Sequence, residues 1–142
     1  MKFMLIVKAD RDSEAGVLPD PALLSAMGAY NEELVRAGVL LAAEGLHPSA
    51  KGVRVQFDGV TRRVVEGPFA SPEELVAGFW LIQARSLAEA VEWVKRVPHP
   101  QGMQAQIEIR QVYDLTDFGE ALSPELRAAE ERMRDQVATW SN

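Results

Sequence analysis

Hydrophobic positions recur along the chain with two periods, and the shorter period predicts six strands. The predicted strands are residues 2–9, 39–46, 53–57, 61–66, 79–84 and 105–113. In the first and the fifth, consecutive positions are apolar, so both faces of these strands need to be covered. The third and the sixth alternate between apolar and polar side chains, which is typical of half-buried strands. Asp58-Gly59 predicts a tight hairpin turn between the third and the fourth.

The longer period predicts three helices. The helix over residues 20–37 begins at Asp20-Pro21, an N-cap residue followed by proline at the first helical position. The second follows the capping box Ser86 to Glu89 and ends at Pro98. The third follows Ser123, and its many charged residues predict an exposed helix.

The segments between these elements carry turn and capping patterns. Residues 10–19 are polar and contain glycine, which predicts a loop. Ser71 to Glu74 has the spacing of a capping box and predicts a short helical turn that ends at Gly78. Gly67-Pro68 then turns the chain out of the hairpin.

The order of elements predicts an α+β fold. Strand, helix, strand, hairpin, strand, helix, strand is a ferredoxin-like βαββαβ plan with an inserted hairpin. We expect a domain over residues 1–120 and a C-terminal helical extension over residues 121–142. Two helices cover one sheet face, so the other requires a partner. A second copy packing sheet on sheet, as a homodimer, fits better than the hydrophilic C-terminal helix folding back.

Composition and charge narrow the function classes. The 142 residues include no cysteine, which excludes disulfides, thiolate metal sites and cysteine nucleophiles. The formal net charge of −6 and the absence of long basic runs argue against direct binding to nucleic acid. No segment has the pattern of a signal peptide or a membrane span, and we expect a cytoplasmic protein.

His47 and Glu66 are the candidate catalytic pair. His47 follows a predicted strand, and imidazole titrates near neutral pH, so it is a candidate general base. Glu66 ends the hairpin and is a candidate for the acid that orients His47. The alternatives are a turn histidine and a carboxylate that caps the backbone of the Gly67-Pro68-Phe69 turn.

Five further residues are candidate ligand-binding groups. They are Tyr30, Glu44, Arg54, Phe69 and Trp80. The rings are suited to line an apolar pocket, although a plain core is the alternative for each. Glu44 points either into a cleft or to solvent. Arg54 is suited to neutralise an anionic ligand or to face solvent, and the same holds for Arg110.

Metal and phosphate sites are not indicated. His99 lies between two prolines in a predicted surface loop, far along the chain from His47. Two separated histidines without cysteine form no recognisable ligand set, and no glycine-rich phosphate loop or nucleophile elbow is present. We therefore expect no metal and no cofactor.

Several segments resemble the YCII-related family, also called the DGPF-domain family, in its longer-chain branch. The family signature Asp-Gly-Pro-Phe corresponds here to Glu66-Gly67-Pro68-Phe69. The other matching segments are Ser13–Gly16, Gly45–Ser49, Gly78–Ile82, Pro98–Pro100, Glu108–Arg110 and Asp117–Glu120. The resemblance implies a dimeric α+β barrel. Short members pair a histidine on the first helix with an acid, whereas residues 20–38 contain no histidine here.

The resemblance leaves two functions open, and a structural dimer without a ligand is a third alternative. Fold relatives include muconolactone isomerases and small monooxygenases, which implies a small organic ligand in a cleft. Cofactor-independent acid–base chemistry by His47 and Glu66 is the first hypothesis, with Phe69 and Trp80 shaping the pocket. Some relatives accompany sigma factors, which implies the second: a non-catalytic ligand-sensing or partner-binding protein linked to sigma-factor-dependent transcription. Whether the chain is an enzyme is left open.

Overall fold

A computed structural model describes residues 1–100 and 102–140. The chain divides after Val112 into two compact units, Met1–Val112 and the remainder from Tyr113 onward. The expected boundary near residue 120 stays a prediction. Each unit is described by itself below, and the candidate site lies in the first.

The elements alternate in the predicted succession, and the α+β class is confirmed. The strands are β1 (Lys2–Lys8), β2 (Leu40–Gly45), β3 (Val53–Asp58), β4 (Thr61–Glu66), β5 (Val76–Gln83) and β6 (Ile107–Gln111). The α-helices are α1 (Arg11–Glu14), α2 (Pro21–Arg36), α3 (Leu87–Lys95) and α4 (Pro124–Trp140). Short 3₁₀ segments span Ser49–Lys51, Pro72–Glu74 and Leu115–Ala121.

Four strands form one antiparallel sheet in the order β2-β5-β1-β6. The inserted hairpin, β3 and β4, forms a separate two-stranded sheet with Val53 opposite Glu66. The predicted hairpin is present, and its turn residues are Gly59 and Val60, because Asp58 still pairs with Thr61; Gly59 has a positive φ of 56°. The two central strands, β1 and β5, carry the continuous apolar runs because they have neighbours on both sides.

The core lies between one face of the four-stranded sheet and the helices α2 and α3. Phe3 and Leu5 of β1, together with Ile82 of β5, are buried there against Leu34 of α2 and Ala90 of α3. Because side chains alternate along a strand, the neighbouring positions lie on the opposite face. That opposite face carries the half-buried Met4, Ile6, Phe79 and Leu81, and we call it the open face.

Side-chain caps begin the helices where the sequence predicts them. Asp20 accepts a hydrogen bond from the amide of Leu23 at 2.7 Å, and Ser86 from the amide of Glu89 at 3.1 Å. Ser123 does the same for Leu126 ahead of α4, at 3.2 Å. No buried residue occurs in α4. Within the described residues, no helix is long and apolar enough to cross a membrane.

Two expectations for the turns were wrong. Residues 10–19 are not all loop, because Asp10 and Ser13 form a reciprocal capping box that begins the short helix α1. Ser71 makes no capping hydrogen bond, because it has a left-handed φ of 61°, whereas a capping residue has an extended backbone. Only the 3₁₀ turn Pro72–Glu74 follows, and Gly78 lies inside β5 rather than at a helix end.

Tyr30 makes the core sensitive to alkali. Its hydroxyl donates to the carbonyl oxygen of Trp93 at 2.9 Å, and burial raises the pKa of Tyr30 to about 12 from 10.0. A folded-state pKa above the unfolded value means that this stabilisation is complete below the unfolded pKa and is lost as pH rises through the folded pKa. We therefore expect unfolding to become easier, by on the order of 2 kcal/mol, between about pH 10 and 12.

Urea unfolding of the wild type and Tyr30→Phe across this pH range measures the effect. The variant lacks the ionisable hydroxyl, so its stability should fall less steeply with pH than that of the wild type. Parallel pH profiles would show that Tyr30 ionisation is not linked to folding.

Candidate functional site

Three distant segments meet at the base of the hairpin through the side chain of Ser49. Its hydroxyl donates to Oε2 of Glu14 at 2.5 Å and accepts from the amide of Phe69 at 3.0 Å. The amide of Ser49 donates to Oε1 of the same carboxylate at 3.0 Å. Gly67 adds a backbone bond to the carbonyl oxygen of Gly52 at 2.9 Å. We call these five residues the hairpin junction.

Gly67 has a steric role in the junction. A Cβ atom at this position would overlap the carbonyl group of Ser49, so only glycine lets the two backbones approach so closely. The absence of a side chain at Gly67 thus permits the contact between the two segments, and the hydrogen bonds hold it.

A cleft of about 420 Å³ opens between α2 and the adjoining ends of β2 and β5. Its helix side is formed by Leu24, Met27 and Asn31, which share one face of α2 through their spacing of three and four residues. The strand side includes Ala43 and Trp80, which lie opposite each other in the sheet. We call this space the α2 cleft. Val7, Pro19, Glu44, Gly45, Ala77, Gly78 and Phe79 complete its lining.

The α2 cleft exists because the strand positions beneath the helix carry small side chains. Gly45 and Gly78 are paired across β2 and β5, on the same face as Ala43 and Trp80. A Cβ atom at Gly78 would lie 2.8 Å from the carbonyl oxygen of Glu44, so close strand pairing requires glycine there. A Cβ atom at Gly45 would meet nothing within 4 Å, which leaves open space above it.

The principal polar contact of the α2 cleft joins Trp80 to Asn31. The indole Nε1–H of Trp80 donates to Oδ1 of Asn31 at 2.8 Å. On its other side, the Trp80 ring meets the buried ring of Tyr30 edge-to-face, with 5.7 Å between centroids. The indole is held by both contacts, so it forms a rigid apolar wall.

Sequence comparison places the chain among known proteins. The sequence model of the YCII-related domain matches residues 1–116. The chain belongs to the YCII-related family. A curated relative, an uncharacterised protein of Rhizobium meliloti (strain 1021), is 26% identical over 91 residues, which cover 64% of this chain and 73% of that protein.

Four of the segments that resemble the YCII-related family contribute to the two places just described. Glu14, Ser49 and the Glu66–Phe69 segment meet in the hairpin junction. The segments that begin at Gly45 and Gly78 supply strand positions of the α2 cleft. Two of these segments contain the glycines Gly67 and Gly78, at which backbones approach closely.

The proposed acid–base pair is not hydrogen-bonded in this YCII-related domain. His47 and Glu66 are both exposed, and their side chains share neither a hydrogen bond nor an ion pair. Glu66 also does not cap the turn, because Ser49 and Gly52 already accept from the amides of Phe69 and Gly67. The two side chains thus end neighbouring segments without forming the contact that a base and its orienting acid require.

The five candidate ligand-binding residues fall into separate places. Trp80 and Glu44 line the α2 cleft, although Glu44 lies opposite Phe79 and so on the open face of the sheet. Tyr30 is buried behind Trp80 as a core residue. Arg54 stacks on the ring of Phe69, with its guanidinium carbon 3.9 Å from the ring centroid. That cation–π contact lies at the hairpin rather than among the described residues that line the cleft.

A second depression, of about 480 Å³, lies beside His99. His99 is exposed, as predicted for a surface loop, and its Nε2 is 2.6 Å from the carbonyl oxygen of Met103. Lys8, Asp10 and Glu73 also line the depression, so its walls carry opposite charges. The more apolar α2 cleft is the better candidate for an organic ligand.

Sequence reasoning missed Asn31 and Ser49. Asn31 lies four residues after Met27 and three before Leu34, so its position in the apolar stripe of α2 was a usable indication. Ser49 could not be found in this way, because its partners at positions 14 and 69 become neighbours only through the fold.

The hairpin junction yields a prediction for stability. Ser49→Ala removes two hydrogen bonds and leaves the amide of Phe69 and Oε2 of Glu14 without that partner, which should cost about 1–3 kcal/mol. Glu66→Ala is the matched control in the same turn and should change stability by less than about 0.5 kcal/mol. Urea unfolding midpoints measure both. Equal losses in the two variants would contradict the assignment of the cap to Ser49.

Proposed function

We propose that this YCII-related protein binds a small, predominantly apolar organic molecule in the α2 cleft. The observation that carries the proposal is an open space of about 420 Å³ with an ordered indole wall and one amide, Asn31, next to it. Apolar clefts with few, fixed polar groups are the usual form of small-molecule sites. Leu24 is 55% exposed at the helix side of the cleft, which extends the apolar surface outward.

The geometry favours binding over acid–base catalysis. His47 and Glu66 are exposed and lack a mutual hydrogen bond, and neither is among the residues that line the cleft. Proton transfer requires a base within hydrogen-bond reach of its substrate. Cofactor-independent acid–base catalysis on the bound molecule is a further proposal, and turnover of a bound metabolite would establish it.

The open face supports a dimer as part of the same proposal. Met4 pairs with Leu81 and Ile6 with Phe79 in the two central strands, so four apolar side chains adjoin on the face opposite the helices. The polar Glu108 and Arg110 lie next to them on β6 and form an ion pair at 3.2 Å. An apolar centre with a polar rim is typical of a protein interface. A second copy packing there would form the dimeric α+β barrel of the family.

A partner-binding role is the second candidate, and α4 favours it. Leu126, Met133, Val137 and Trp140 recur at helical spacing and all are exposed in this unit. Such a stripe is typical of a helix that docks into an apolar groove. In this reading the protein senses a ligand and contacts a component of sigma-factor-dependent transcription.

Native mass spectrometry of the purified protein, with metabolite identification, tests the binding proposal. We expect one small molecule per chain in the wild type. Gly45→Leu should lose it, because the new side chain enters the open space above Gly45 without a backbone clash. Gly28→Ala adds a Cβ atom in open space on α2 and is the control that should retain the ligand. Equal ligand content in all three proteins would place the molecule outside the cleft.

A further inference from the structure

We infer that the α2 cleft selects an uncharged ligand with an oxygen that accepts a hydrogen bond, and that the side-chain NH₂ of Asn31 is the donor that recognises it. The inference rests on the proposed function, because it specifies what the same cleft binds. Two independent features carry it: the fixed orientation of one amide and the charges around the cleft.

The orientation of Asn31 follows from its partner. The indole Nε1–H of Trp80 is a donor only, so the atom of Asn31 that lies 2.8 Å away must be its carbonyl oxygen. The amide nitrogen is therefore turned away from the indole and keeps two N–H donors. Within the described residues, the hydrogen bonds include none donated by this nitrogen, and it is not a buried unpaired atom. Because this nitrogen is accessible to solvent, water satisfies it in the free protein, and an acceptor on a ligand can take the place of that water.

The charges around the cleft disfavour ionised ligands. Lysine, arginine and histidine are absent from its described lining, so a carboxylate placed there would lose water without gaining a cationic partner. Glu44 is the only ionisable side chain of that lining. Register places Glu44 with Phe79 on the open face, so it is not positioned to pair with a cation beside Trp80.

Three probe molecules of nearly equal size test the Asn31 donor and the charges around the cleft separately. Acetophenone carries a carbonyl acceptor, ethylbenzene carries no polar atom, and benzoate carries a negative charge. Titration is followed by NMR through the indole N–H of Trp80 and the side-chain NH₂ of Asn31, which report on the cleft directly. We expect acetophenone to bind about 2- to 10-fold more tightly than ethylbenzene, the usual net value of one hydrogen bond. Benzoate should bind at least about tenfold more weakly than acetophenone.

Asn31→Asp tests the donor itself. The aspartate keeps an oxygen for the Trp80 indole, so the wall of the cleft retains its hydrogen bond, but the NH₂ group is gone. Acetophenone should then lose its advantage over ethylbenzene. Gln56→Glu makes the same change of amide to acid on the hairpin strand β3, and it should leave the preference as in the wild type.

The outcomes distinguish a failure of this inference from a failure of the proposed function, which is ligand binding in the α2 cleft. If ethylbenzene and acetophenone bind equally to the wild type, or benzoate binds best, the selectivity is overturned while the cleft remains a binding site. An unchanged acetophenone preference in Asn31→Asp overturns the role of Asn31. If none of the probes shifts the Trp80 and Asn31 resonances, both the proposed function and the inference fail.

Discussion

Replacing Leu81 by aspartate is expected to convert a dimer into a folded monomer. Leu81 lies at the centre of the open face, opposite Met4 of β1 and Ala42 of β2. A charge buried there in a sheet-on-sheet interface has no partner and costs several kcal/mol, which is enough to separate the subunits at micromolar concentration. The monomer should stay folded, because the core lies on the other face, where Phe3, Leu5 and Ile82 pack against the helices.

Sedimentation velocity and circular dichroism together measure this outcome. Val60→Asp is the control, because Val60 is 96% exposed in the hairpin turn and a charge there should change neither assembly nor folding. A wild-type protein that sediments as a monomer at micromolar concentration would remove the proposed dimer. Loss of the circular dichroism spectrum in Leu81→Asp would instead show that the open face belongs to the monomer core.

Gly67→Ala is expected to be the most destabilising single methyl addition in the hairpin. The added Cβ atom would overlap the carbonyl group of Ser49, and a backbone atom cannot move aside as a side chain can. The junction would have to separate, with loss of the hydrogen bonds from Phe69 to Ser49 and from Gly67 to Gly52. We expect a loss of about 3 kcal/mol or more, since overpacking alone typically costs 1–3 kcal/mol.

Gly28→Ala is the same chemical change as Gly67→Ala, but we expect it to raise the stability of the protein. Gly28 lies in α2 with open space around its Cα, so alanine should raise helix propensity and stabilise the protein by about 0.5–1 kcal/mol. Thermal and urea unfolding of the two variants and the wild type give the comparison. Similar unfolding midpoints for Gly67→Ala and the wild type would show that the hairpin base rearranges without cost.

The regular elements were predictable because their determinants are local. The apolar stripe of α2, its Asp20 cap and the hairpin turn at Gly59 all act within a few residues, and the structure contains each of them. Ser71 shows the limit of such reasoning. Its spacing to Glu74 satisfies the capping pattern, but the path from Phe69 into β5 imposes a left-handed backbone at Ser71 that is incompatible with capping.

The candidate site was predictable only in part. Trp80 and Glu44 were identified from the sequence and line the α2 cleft, since each lies near the end of a predicted strand. Arg54 and Phe69 were predicted as ligand-binding residues, and in the structure they contact each other, because the hairpin brings the arginine over the ring. His47 and Glu66 share no direct hydrogen bond, and the pair could not be judged from the sequence, because no sequence pattern specifies the direction of two side chains at neighbouring segment ends.

The position of β1 inside the sheet has a consequence for how the chain folds. β1 pairs with β5 and β6 alone, so its native neighbours lie about 70 to 110 residues further along the chain. During synthesis this apolar strand therefore has no native partner until β5 has left the ribosome, and it is exposed to aggregation or chaperones in the interval. Such distant pairings give a high contact order, which predicts folding in milliseconds to seconds rather than microseconds.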